Sequence, residues 1–171
     1  MGKGLIVKQL LAAGGALALL AAPAYAEPEY VSIEMAIDVD APAETLWERV
    51  GGWCAIGDWA NLPCEVTSGD GDMGSVRVLT AGPNTITEIL VAQTPLSYGY
   101  TQPVIEGQFY NLYHGFMEAR PASTSSSQLL YTLVYDVSNL DDQAAKDADM
   151  DRRRGMFEGF LENMKAIAEA E

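Results

Sequence analysis

The chain has 171 residues, with 24 acidic against 10 basic side chains, one histidine, two cysteines and a formal net charge of −14. A surface of that sign repels phosphate, which excludes nucleic acid and anionic lipid headgroups as partners. One histidine and two cysteines with no CxxC spacing argue against a zinc site, and no cofactor is expected.

At the N-terminus, Lys3 and Lys8 precede an uncharged Ala/Leu-rich stretch over 10–22. Ala24-Tyr25-Ala26 then supplies the small-x-small pattern that signal peptidase reads. The stretch falls short of the ~20 residues a membrane span needs, so a cleaved export signal over 1–26 is expected rather than an anchor. Cleavage would remove two bases and no acid, taking the net charge from −14 to −16 and leaving a single domain over 27–171. The mature protein is expected to be periplasmic or secreted, with no stable membrane insertion. A homodimer is compatible with this reading.

Residues 30–39 alternate, with Val31, Ile33, Met35, Ile37 and Val39 on one face, and predict a half-buried strand. Pro42 and Glu44 suit a first helical turn, Leu46, Trp47 and Val50 form its apolar stripe, and Gly51-Gly52 ends it. A second short helical turn over 54–61 carries Trp59. In an oxidising compartment Cys54 and Cys64 are disulfide candidates; two buried thiols are the alternative. Short strands follow over 65–68, 75–80, 85–91 and 97–101, punctuated by Gly69-Asp70-Gly71-Asp72 and Gly82-Pro83-Asn84. A loop is expected over 103–108, then longer strands over 110–120 and 128–137. A helix over 143–170 presents Phe157, Phe160, Leu161, Met164 and Ile167 on one face. Its Gly155 and Gly159 either let a sheet or ligand approach the backbone or are merely tolerated. Arg152, Arg153 and Arg154 sit three or four residues from acids, which predicts local ion pairing.

One strand, two short helices, about six or seven antiparallel strands and a long C-terminal helix give an α+β, helix-grip layout. A curved sheet wrapped around one helix has more concave surface than the helix fills, so an apolar cavity is expected between them.

Ala41-Pro42-Ala43 with Trp47, Asp58-Trp59, Gly74-Ser75-Val76-Arg77, Thr87-Glu88-Ile89-Leu90, Leu112-Tyr113 and Leu161-Glu162-Asn163-Met164 carry a resemblance. The chain resembles the START-like, Bet v 1-like superfamily, in its polyketide cyclase/dehydrase-like subgroup. That resemblance implies Trp59 at the pocket's end and Arg77 and Glu88 on adjacent strands, with Glu88 inward. It also implies Tyr113, Gly115 and Tyr131 facing the cavity, with Phe160 and Met164 lining it from the helix. Ala81-Gly82-Pro83-Asn84 would match a mobile gate loop, and Gly107-Gln108-Phe109 a latch that brings Phe109 to the ligand. Ala60 stands at or beside the position where the family's plant hormone receptors have a lysine for a ligand carboxylate. The latch also lacks their His-Arg pair.

For chemistry, an inward Glu88 among apolar neighbours is the best candidate to move a proton, and a structural Glu88–Arg77 pair is the competing reading. Tyr98, Tyr100 and Tyr131 offer ring faces and hydroxyl donors to an aromatic ligand. Strand alternation forces a choice between Tyr113 and His114: one points in, the other out. Two functions follow. One is cofactor-free cyclase, dehydratase or lyase chemistry on an aromatic or polyketide-like molecule, with Glu88 or His114 moving the proton and Tyr113 and Arg77 holding negative charge. The other is non-catalytic carriage of a hydrophobic ligand, or an accessory role beside a periplasmic oxidoreductase.

Overall fold

In a computed structural model, described over residues 27–103 and 112–170, the alternating segment Tyr30–Val39 forms strand β1. Its odd-numbered residues turn inward, with Ile33 and Val39 almost fully buried. Helices α1 (Ala43–Val50) and α2 (Ile56–Trp59) follow, then strands β2 (Cys64–Ser68), β3 (Val76–Ala81), β4 (Asn84–Thr94), β5 (Ser97–Thr101), β6 (Tyr113–Pro121) and β7 (Ser127–Asp136). Helix α3 (Gln143–Glu169) closes the chain. The strands make one seven-stranded sheet in the order β1-β7-β6-β5-β4-β3-β2, with every pairing antiparallel. From β2 to β7 the chain is a meander, and β1 returns to pair with β7. The expected signal over 1–26 and the latch with Phe109 lie outside the described residues.

The sheet curls around α3, which buries Phe157, Leu161, Met164 and Ala168 against it. Each of the three large side chains contributes roughly 1.5–3 kcal/mol by burial, which outweighs the ~1 kcal/mol that each glycine costs within the helix. Gly155 and Gly159 have open space where a side chain would stand, so no strand of the sheet approaches them. Both ends of α3 are tied. The Asp142 side chain caps its start by accepting from the Ala145 N–H at 2.8 Å, and Arg49 of α1 donates to the Ile167 carbonyl at 3.0 Å near its end. The three arginines divide their work. Arg152 and Arg153 hold Asp149, as the charge spacing predicts, whereas Arg154 reaches across to the Glu34 carbonyl of β1.

Cys54 and Cys64 form a disulfide that ties the loop ahead of α2 to the start of β2. The β3–β4 connection departs from the gate-loop expectation. Ala81 pairs with Asn84, so only Gly82 and Pro83 turn the chain, with Gly82 at φ +60°. A glycine at the first central position suits a tight hairpin, and two residues are too few to sweep over a cavity. The Gly69–Asp72 turn is ordinary: the Gly71 N–H donates to Ser75 Oγ at 2.9 Å.

Candidate functional site: the concave face of the sheet

The register sets the inner face. Arg77 lies opposite Glu88, Leu90 opposite Tyr100, Tyr100 opposite Gly115, and Met117 opposite both Tyr98 and Tyr131. Partners across an antiparallel pair share a face, so Arg77, Glu88, Tyr98, Tyr100 and Tyr131 converge inside. Gly115 is required there: a methyl at its position would come within 2.3 Å of the Tyr100 ring, which lies flat on the strand.

Arg77 and Glu88 form a buried ion pair, their side chains 0% and 4% exposed. Arg77 Nε donates to Glu88 Oε2 at 2.8 Å, and Nη2 lies 2.6 Å from the same oxygen. Nη1 donates to the Trp53 carbonyl, and the guanidinium stacks 3.9 Å from the Trp53 ring centre. Gln102 Nε2 reaches the other carboxylate oxygen, Oε1, at 3.4 Å. Both oxygens of Glu88 are therefore engaged, and it is no longer a lone carboxyl among apolar groups. Burial opposes the Arg77 charge, but Tyr98 and the Glu88 carboxylate outweigh it and hold the guanidinium above its ordinary pKa.

The phenols form a second cluster. Tyr100 and Tyr131 hydroxyls are 2.9 Å apart and buried. Burial pushes both pKa values well above the usual phenol range, and the neighbouring tyrosines and Glu88 add to it. Tyr98 is raised as well, by burial, with Arg77 pulling partly back. These groups stay protonated at neutral pH and act as hydrogen-bond donors, not bases. A chain of rings then runs from sheet to helices: Tyr131 to Phe157 at 4.9 Å, Phe157 to Phe160 at 5.3 Å, Phe160 to Trp59 at 5.6 Å. Met164 is fully buried on the same helical face.

Tyr113 faces inward and His114 does not. Tyr113 is buried 6.0 Å from Tyr135, and Arg153 stacks over that second ring at 4.4 Å. His114, one residue on, occupies the outer face beside the exposed Phe116. Alternation thus removes His114 from the Glu88 constellation, correcting its candidacy for proton transfer there. Tyr98 packs between Trp47 and Trp53 at 5.6 and 5.5 Å, more a wall of the Arg77 box than an open ring face.

Trp53 and Gln102 were not singled out from the sequence, and Phe157 and Arg153 were read there as helix face and ion-pair partner rather than as part of the site. Two had a readable signal. Gln102 continues the Tyr98–Tyr100 period of two, and Phe157 lies one helical turn before Phe160. Among the described residues no group of three or more His, Cys, Asp or Glu side chains could hold a metal ion, and no helix is long and apolar enough to cross a membrane.

The family model described as polyketide cyclase/dehydrase and lipid transport matches residues 30–169. The chain belongs to that family. Among solved structures, protein XoxI from Bacillus cereus is 18% identical with a TM-score of 0.66, covering 81% of this chain and 96% of its own. The Zhui aromatase/cyclase from Streptomyces sp. R1128 is 16% identical with a TM-score of 0.65, covering 82% and 94%. Truncated norcoclaurine synthase from Thalictrum flavum is 16% identical with a TM-score of 0.64, covering 84% and 96%. At these identities the likeness shows the helix-grip fold shared by this polyketide cyclase/dehydrase-family chain. No curated protein matches the sequence. The family goes with hydrophobic small-molecule ligands, and the ring-lined concave face has the composition for one.

Proposed function

We propose that this polyketide cyclase/dehydrase-family protein is exported, cleaved after Ala26, and carries an aromatic or polyketide-like small molecule in the periplasm without transforming it. One observation supports carriage over catalysis: the two buried carboxylates of the described residues, Glu88 and Asp136, and the half-buried Asp149 are already held. Glu88 is held by Arg77 and Gln102, Asp149 by Arg152 and Arg153, and Asp136 by the Glu29 and Ser138 amides. A general base needs a lone pair within reach of the substrate. Using Glu88 that way would first require breaking a desolvated ion pair, at a cost of several kcal/mol. The high-pKa phenols suit the recognition of a ligand oxygen better than they suit proton abstraction. A cyclase or lyase reading survives in one form, with Tyr100 and Tyr131 holding an enolate oxygen while the substrate supplies its own base.

Native mass spectrometry of protein from its own periplasm tests the carrier. The expected spectrum shows a chain beginning at residue 27, with Cys54 and Cys64 bridged and a small molecule bound. Titration with 1-aminoanthracene should give saturable fluorescence at one probe per chain. The recovered molecule should keep its mass after prolonged incubation with fresh protein. Absence of both saturable probe binding and any co-purified molecule refutes carriage, and conversion of the recovered molecule favours the enzyme.

A further inference from the structure

A buried arginine invites the reading of an anion receptor. Here its charge is cancelled, although Nη2 makes no hydrogen bond of its own. Nε and Nη2 face Glu88 Oε2, Nη1 serves the Trp53 carbonyl, one face of the guanidinium lies on the Trp53 ring, and the Tyr98 and Tyr100 rings stand at 5.8 and 5.4 Å. The pair carries no net charge and is shut off from water. A ligand carboxylate arriving beside it would be one uncompensated charge in a desolvated site, which costs several kcal/mol. The hydrogens left over on this face belong to phenols and an indole. The Tyr100–Tyr131 hydroxyl pair uses one hydrogen between its members and keeps the other, while the Trp53 indole N–H is buried without a hydrogen-bond partner. An indole N–H can only donate. The complement to surplus donors without net positive charge is an uncharged acceptor oxygen.

Building on the carrier reading above, we infer that the site selects arenes bearing an uncharged carbonyl, a ketone or an aldehyde, and rejects the corresponding carboxylates. Glu88 is the specificity-determining residue, because it cancels the charge that would otherwise attract an acid. Phenol pKa values raised by burial keep the donors available across the physiological range.

The test is calorimetric titration of the full mature chain at pH 8 with 2-acetylnaphthalene and with 2-naphthoate, which share a ring system and differ in charge. The ketone should bind at least about tenfold more tightly. In Glu88→Gln, which keeps an acceptor for Arg77 and removes the negative charge, the order should narrow or reverse in favour of naphthoate. A measurement on the unmodified protein guards against a variant that fails to fold. Repeating the naphthoate titration in two buffers of different ionisation enthalpy should show uptake of one proton on binding, because the neutral acid is the form admitted. Naphthoate binding as tightly as the ketone without proton uptake overturns the inference and leaves carriage standing. An unchanged preference in folded Glu88→Gln overturns the role given to Glu88. Failure of both probes to bind refutes carriage and selectivity together.

Discussion

Removing one member of the Arg77–Glu88 pair should be far more damaging than removing both. Glu88→Ala leaves a guanidinium with no exposed surface, one carbonyl partner, and no counter-charge in its box of Trp53, Tyr98 and Tyr100. Breaking a buried pair in this way costs about 3–5 kcal/mol, whereas well-packed apolar replacements at both positions are often neutral or stabilising. Arg77→Met with Glu88→Leu should therefore regain most of the stability that Glu88→Ala loses. For a chain of this size 1 kcal/mol moves the melting temperature by roughly 2–6 °C, so the single variant should melt on the order of 10–20 °C lower. Urea denaturation followed by circular dichroism, with Arg77→Met completing the cycle, gives the coupling energy directly. A Glu88→Ala cost below about 1 kcal/mol, or a double variant as unstable as the worse single, would mean that the pair is hydrated or flexible in solution. The case for a spent carboxylate would then fall.

Two further outcomes follow from the same coordinates. Replacing Cys54 and Cys64 together with alanine frees a short covalent loop and should cost about 2–3 kcal/mol in the chain-entropy model, read as a lower urea midpoint; an unchanged midpoint refutes a formed bridge. Acidification should act partly through Asp149. Burial alone would raise its carboxyl pKa, but hydrogen bonds from Arg153 and Arg152 outweigh it and hold the pKa below the usual carboxylate range. The folded value lies below the unfolded one, so Asp149 stabilises fully above the unfolded pKa and loses that contribution as pH falls through the folded value. Asp149→Asn should flatten the acid limb of a melting-temperature profile as pH falls through and below the usual carboxylate range, and curves that stay parallel would contradict this.

The fold was legible because its signals are local. The alternation in β1, the turn residues between short strands and the apolar face of α3 each read correctly from neighbours in sequence. Boundaries slipped where a local breaker lost to pairing: β4 runs to Thr94, past the expected end at residue 91, because its bulge lets Ala92, Gln93 and Thr94 pair with β5. The site was legible only in part. Glu88 and Arg77 could be placed on adjacent strands, but whether Glu88 was free or spent depended on Trp53, from a loop, and Gln102, just past the end of β5. The Tyr113/His114 choice turned on register, since the apolar residues of that strand fit either face, and pairing with Tyr135 decided it.

Seen along the sheet, the interior is neutralised twice. Arg77 with Glu88 stacks on Trp53 at one place, and Arg153 with Asp149 stacks on Tyr135 at another. Between them lie the protonated hydroxyls of Tyr100 and Tyr131. The large acidic excess of the chain is thus kept at the surface, where water and salt screen it. Inside, where the dielectric is low and any charge is amplified, each cation sits against a carboxylate and a ring. A site arranged this way gains little from ligands that bring charge and much from those that bring aromatic area and one acceptor. Affinity should therefore rise with ring surface before it rises with polar decoration, by about 25 cal/mol for each Å² buried.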